Sequence, residues 1–217
     1  MQRDDEAKPG AETNRGIDFP RIYDLVVLLL ARGREERYRE AVLDLVGILP
    51  GDRLLDIGCG ADTQAIAAWR RVQPGGSVTG VDISEKMLAA ARRKAGLAGL
   101  DLGFHRADAA VLPFAEASFD VVSFSTVLHM IPDDRRRLSL REAARVLRPG
   151  GRLLLVDYAG DGASRRHLSA KHGPHGRFDL HALRDTVAEE GFTAVEGGPL
   201  GWLSLHSFAS AGFQRKC

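Results

Sequence analysis

A chain of 217 residues with 44% hydrophobic residues can build one globular domain with a sizeable core, which excludes a disordered or fibrous class. A formal net charge of +1 gives no global field to recruit nucleic acid or an acidic membrane surface. The two cysteines, Cys59 and Cys217, cannot make a disulfide framework and suit a reducing, cytoplasmic setting.

Residues 1–18 are polar without apolar periodicity and read as a disordered tail, not a signal peptide. The rest, 19–217, reads as a single domain. Over 19–49 the pattern is helical. "RIYDLVVLLLARG" and "EERYREAVLDLVGIL" form two amphipathic helices broken at Gly33. The apolar run 25–31 is too short to span a bilayer. "PGD" at 50–52 is a turn. A strand at 53–57 leads to a helix at about 62–72, and a strand at 77–82 to a helix that Ser84 caps. A short strand at 101–106 and the apolar strand "FDVVSFS" at 119–125 follow. "DDRRRLSLREAARVL" is an amphipathic helix closed by "RPGG", and "RLLLVDY" at 152–158 is the next strand. Apolar strands alternating with helices predict an α/β fold, a doubly wound, mostly parallel sheet with helices on both faces. Residues 160–178, rich in Gly, Ser, His and Arg, read as a long loop. A helix at about 179–190 and a closing hairpin on the sheet edge complete the chain.

The chemistry centres on "LLDIGCGADTQ", 54–64. Gly58 and Gly60 follow the first strand, where ligands bind in such sheets. Asp82 ends the second strand about twenty residues on, placed to accept hydrogen bonds from both hydroxyls of a ribose. Read structurally, Asp82 caps the helix at Ser84. Asp108, in "RADAAVLPF", can accept from an adenine amino group, or it forms an Asx-turn.

Together these residues resemble the class I S-adenosylmethionine-dependent methyltransferases, most closely the small-molecule branch that includes quinone-biosynthesis enzymes. The carriers are "LLDIGCG", "VTGVDISEKML", "ADAAVLPFAEASFDVVSF" with "LHMIP", and "LRPGGRLLLVD", in order from about Tyr23 to the C-terminus. The resemblance implies seven strands in the order 3-2-1-4-5-7-6 with the last antiparallel, matching the hairpin. It implies that Asp56, Gly58, Cys59 and Gly60 form the cofactor loop, with the two glycines near the methionine part. Asp82 meets the ribose, Ile83 and Met87 the adenine faces, and Asp108 with Ala109 the adenine edge. Ser125 lies at the methionine end, and Tyr23 is part of a lid. The two N-terminal helices and the 160–178 loop roof the site.

A nicotinamide enzyme is the competing reading of the same fold class. It requires a third glycine so that a pyrophosphate can sit on the helix N-terminus. This chain has Asp62 there, a carboxylate that repels a pyrophosphate but tolerates a sulfonium and an ammonium. Asp62 also departs from the usual glycine of the resembled family. Three readings stay open: it caps the next helix, it binds the cofactor's ammonium, or it impairs the site and leaves a non-catalytic adenosyl-ligand binder.

Methyl transfer from a sulfonium is an in-line displacement, in which the protein supplies alignment and a dry pocket. His129, in "VLHMIP" past the fourth strand, is the candidate general base if the acceptor must lose a proton; otherwise it is a turn histidine satisfied by backbone. Tyr158, at the end of the fifth strand, and His172 and His175, in the long loop, are candidate substrate contacts. With His167 and His181 these histidines match no common zinc spacing, so no metal is expected. The chain lacks an Asn/Asp-Pro-Pro-Tyr/Phe segment and a Pro-Cys nucleophile, which disfavours DNA-base acceptors. It has too few thiols for arsenic and no basic surface for a large RNA. A small organic acceptor remains.

Overall fold

The computed structural model describes residues 35–61, 64–158, 183–199 and 208–216. The tail 1–18, the first lid helix with Tyr23, Asp62, and the loop 160–178 with His172 and His175 lie outside the described residues. The elements are α1 (Glu35–Val46), β1 (Arg53–Ile57), α2 (Gln64–Val72), β2 (Ser77–Asp82), α3 (Glu85–Leu97), β3 (Gly103–Arg106) and β4 (Phe119–Ser125). A 3-10 turn (Leu128–Met130) leads to α4 (Asp133–Val146), β5 (Leu147–Tyr158), α5 (Arg184–Glu189), β6 (Phe192–Pro199) and β7 (Phe208–Arg215). The strands make one sheet ordered β3-β2-β1-β4-β5-β7-β6. β1 to β5 pair in parallel, and β7 runs antiparallel to both its neighbours, as expected.

The strands are apolar at successive positions because both faces are covered. On one face Leu55, Ile57, Val122, Phe124 and Leu155 pack against Leu140 and Ala143 of α4 and Val187 of α5. On the other, Leu54, Val121, Leu154 and Val156 meet Val42, Leu43 and Val46 of α1 and Ala65, Ala68 and Val72 of α2. Leu154 and Leu155 are thus both buried although they point to opposite faces. Truncating either to alanine costs about 2–5 kcal/mol. Arg71 of α2 pairs with Glu40 and, at 2.6 Å, with Asp44, which holds α1 against α2.

Ser84 caps α3 as expected, its Oγ accepting the Met87 N–H at 3.4 Å. Two strand starts differ from the sequence reading. β3 begins at Gly103 rather than at 101. β5 begins at Leu147, before "RPGG", not after it. Leu147 pairs with Phe119, and the register slips between Phe119 and Val121. The kink that the slip needs is supplied by Gly150 at φ +73° and by Gly151, where a Cβ would lie 2.7 Å from Leu147. The described part of the last helix, α5, ends at Glu189 ahead of Gly191 at φ +90°, in line with the expected end near 190.

Candidate active site

β1 leads its chain to β2 on one side, and β4 lies on the other, so the carboxyl ends of β1 and β4 flank a switch in strand order. A cleft open to solvent lies there. Its walls include Ile57, Gly58, Ile83, Ala109, Val127 and Ile131, and its polar groups are Asp82, Asp108 and Arg135.

Gly58 and Gly60 take φ of +72° and +58°, a region that side chains disfavour. The loop they form is pinned to β2, because the N–H groups of Gly58 and Cys59 both donate to the Val81 carbonyl, at 2.8 and 3.0 Å. A Cβ on Gly58 would lie 2.3 Å from Val127 Cγ2. Cys59 tucks against Gly80, where a Cβ would come within 2.8 Å of its Sγ. Met87 is buried beneath Gly60.

Asp82 makes the cap at Ser84 that the sequence allowed and also ties down the glycine loop. Its Oδ1 accepts the Ser84 N–H at 2.8 Å, which starts α3, and its Oδ2 accepts the Gly60 N–H at 2.9 Å. Burial raises its pKa above the usual carboxylate range, against the opposing pull of these N–H groups. Backbone N–H groups of Ser84, Gly60 and Ile83 all reach this carboxylate, whose four lone pairs leave acceptor capacity for a ligand hydroxyl. Asp108 forms the Asx-turn, Oδ1 accepting the Ala110 N–H at 2.9 Å, and pairs through Oδ2 with Arg135 at 2.5 Å. Glu142 and Arg145 of α4 hold the loop beyond Asp108. Glu142 accepts the Leu112 N–H at 2.8 Å, and Arg145 donates to the Phe114 and Leu112 carbonyls.

Asp56 and Ser125 do not line this cleft. They line a small cavity beneath α1, together with Ser123 and Gln64. Asp56 is buried, and its pKa is pushed up to about 6 by that burial, opposed by the Ser123 hydroxyl at 2.6 Å and reinforced by the charge of Asp82. Tyr158 ends β5 opposite Phe208 of β7.

His129 lies on the 3-10 turn, between the cleft-lining residues Val127 and Met130. Its Nδ1 is 2.9 Å from Oδ1 of Asp157, whose Oδ2 accepts the His129 backbone N–H at 3.2 Å. Asp157 is fully buried. Sequence reasoning missed it, although a lone acid in the apolar run "LLLVDY" is a signal, because a buried carboxylate needs a partner. It also missed Arg135 and Arg136. Arg136 donates to the Leu128 and Ile131 carbonyls at 3.0 and 2.7 Å, on either side of His129. Nothing in the run "RRR" singles either out. Among the described residues no group of three or more His, Cys, Asp or Glu is arranged to hold a metal ion, and no helix is long and apolar enough to cross a membrane.

A glycine loop against an acid at the next strand's end, beside an apolar slot, is the ligand-site arrangement of a doubly wound sheet, and the acceptors of Asp82 and Asp108 beside apolar walls are of the kind an adenosyl group needs. Residues 55–155 match the methyltransferase domain family. The chain is 38% identical over 136 residues to a demethylmenaquinone methyltransferase of Thermus thermophilus, covering 63% of this chain and 60% of the relative. It is 50% identical over 121 residues to 27-O-demethylrifamycin SV methyltransferase of Amycolatopsis mediterranei, covering 52% and 42%. The chain thus spans about two fifths to three fifths of these relatives' length. A S-adenosylmethionine-dependent methyltransferase from Aquifex aeolicus has the same fold, with a TM-score of 0.70 at 19% identity, over 88% of this chain and 97% of that one. So does the [4+2]-cyclase SpnF, with a TM-score of 0.72 at 20% identity, over 91% and 94%. Over residues 55–155 the chain is thus similar to methyltransferase domains, its curated relatives include demethylmenaquinone methyltransferases, and its fold is one found in S-adenosylmethionine-dependent methyltransferases.

Proposed function

We propose that this protein methylates a hydroxyl-bearing small organic acceptor, with His129 as general base and Asp157 as the residue that orients it. The observation that carries this is the His129–Asp157 pair at 2.9 Å beside the cleft. S-adenosylmethionine, when bound, supplies a methyl group made electrophilic by its sulfonium. Gly58 and Gly60 then give it close backbone approach, Asp82 accepts from the ribose hydroxyls, Ile83 and Met87 flank the adenine, and Asp108 takes its amino group.

Asp157 accepts from Nδ1–H, which fixes the ring tautomer and assigns proton transfer to Nε2. Its full burial makes that bond hard for water to replace. Removing a proton from a hydroxyl fits the 27-O-demethylrifamycin SV methyltransferase relative. The same step activates a phenolic ring for methylation on carbon, which the demethylmenaquinone methyltransferase relatives support. The [4+2]-cyclase neighbour shows that the fold alone does not fix the reaction, so the base pair carries more weight than the topology.

The test is S-adenosylhomocysteine release with a panel of alcohols, phenols and hydroquinones, with each product's methylated atom identified. His129→Asn and Asp157→Asn should lower kcat by about 10²–10⁴-fold and leave S-adenosylhomocysteine affinity within about twofold. Full turnover by His129→Asn removes the base assignment.

A further inference from the structure

We propose that Arg135 is the specificity-positioning residue for the adenine edge: by its ion pair with Asp108 it makes the cleft select a 6-amino purine over a 6-oxo purine. This deepens the cofactor reading above and rests on it.

The two side chains meet at 2.5 Å, and both line the cleft. Asp108 is held at both oxygens. The Ala110 N–H binds Oδ1 and the Arg135 guanidinium binds Oδ2, so the carboxylate has a fixed plane although its side chain is about a third exposed. The loop behind it is fixed as well, through Glu142 and Arg145. Arg135 is itself in the first turn of α4, where its backbone N–H donates to the Pro132 carbonyl at 3.0 Å. A guanidinium can only donate, and a carboxylate paired with it presents acceptors only. Such a group accepts the hydrogens of a 6-amino group and repels a 6-oxo oxygen. Without Arg135 the carboxylate still presents acceptors only, but it turns more freely, so its directed contact with a 6-amino group weakens. The cleft contains no other described cation among its lining residues, with Asp82 and Asp108 as its two acids. Losing Arg135 therefore removes both the orientation and the charge pairing of Asp108. A site built around a hydrogen bond rejects the analogue that lacks it, and here Arg135 supplies the rigidity that rejection requires.

The experiment is calorimetric binding of S-adenosylhomocysteine and of its 6-oxo counterpart to the full chain. The wild type should prefer the amino compound by at least about tenfold, the scale of one hydrogen bond to a charged group. Arg135→Met should shrink that ratio to within about threefold, and Arg135→Lys should keep part of it. Asp108→Asn, whose amide can donate, should reverse the preference. Melting temperatures recorded alongside separate loss of fold from loss of selection, because a merely structural ion pair lowers stability and leaves the ratio alone. An unchanged ratio in Arg135→Met, or tighter binding of both ligands, overturns the assignment while the cofactor reading stands. A folded wild type that binds neither ligand overturns the cofactor reading itself.

Discussion

Two loops leave the carboxyl ends of adjacent parallel strands, and they solve the same problem with different residues. After β1 the chain turns through Gly58 and Gly60 at positive φ. After β4 it turns through Thr126, a β-branched residue at φ +55°. Thr126 is held there by its N–H bond to the Val156 carbonyl at 2.7 Å and its hydroxyl bond to the Ser125 carbonyl at 2.7 Å. A β-branched residue in this region is a true outlier and needs such bonds to persist. The loops also interlock, because Val127 occupies the space that a Cβ on Gly58 would fill. The glycine loop ends beside the cleft, and the strained loop leads into the turn that carries His129. Neither can be moved without the other.

The largest expected effect comes from breaking that interlock. Gly58→Ala sets a Cβ against Val127 and forces alanine to positive φ, so stability should fall by about 2–5 kcal/mol in urea denaturation. Adding Val127→Ala should recover the packing part of the loss but not the φ part. Strict additivity of the two changes would mean that the loops are independent.

The stems of the loops are joined by the Asp56–Ser123 bond, and here pH is the probe. The native state keeps the Asp56 proton up to about pH 6, whereas the unfolded chain releases it near the ordinary value of about 3.9. Between those values the native state binds more protons, so this group makes stability fall as pH rises from about 4 to 6. Asp56→Asn should flatten that slope, and its advantage over the wild type above pH 6 should exceed that at pH 4 by up to about 3 kcal/mol. Parallel curves of stability against pH would remove the strain from β1.

On the His129 side, Arg136 brackets the turn through two carbonyls. Arg136→Met should lower kcat by about tenfold while S-adenosylhomocysteine affinity holds, with Arg136→Lys intermediate. Equal losses of both would mark Arg136 as purely structural. The smallest effect is expected from Thr126→Gly. Relief of the positive-φ strain is nearly offset by the added freedom of the unfolded chain, leaving a gain of about 0.5 kcal/mol. A loss above 1 kcal/mol would show that the hydroxyl bond outweighs the strain.

The same contrast explains what the sequence made legible. The glycines announce positive φ, and Asp82 announces itself by its distance from them, so the bounds of β1 and β2 and the turn at Gly58 and Gly60 were readable, whereas the side of the sheet that Asp56 faces was not. Strand order was readable only through the family resemblance, since periodicity does not say which strands are neighbours. Thr126 gives no outward sign of its conformation, and Asp157 looked like the tail of an apolar strand. Arg135 and Arg136 were hidden in a run of three arginines, because which of them faces the cleft depends on the helix phase relative to a loop 27 residues away in sequence. Local chemistry is written locally, but the second half of the site is assembled by packing.

The position of β7 has a consequence for how the molecule is made. The most C-terminal of the seven strands is not at the margin of the sheet but lies between β5 and β6. During synthesis β5 therefore emerges with one side unpaired, and it stays so until about fifty further residues have followed. For that interval Leu153 to Val156 present open N–H and C=O groups, a template that any other extended chain can join. At translation speeds of about 5–20 residues per second that exposure lasts several seconds. Assembly of this sheet is thus a race between its own last strand and its neighbours on the polysome.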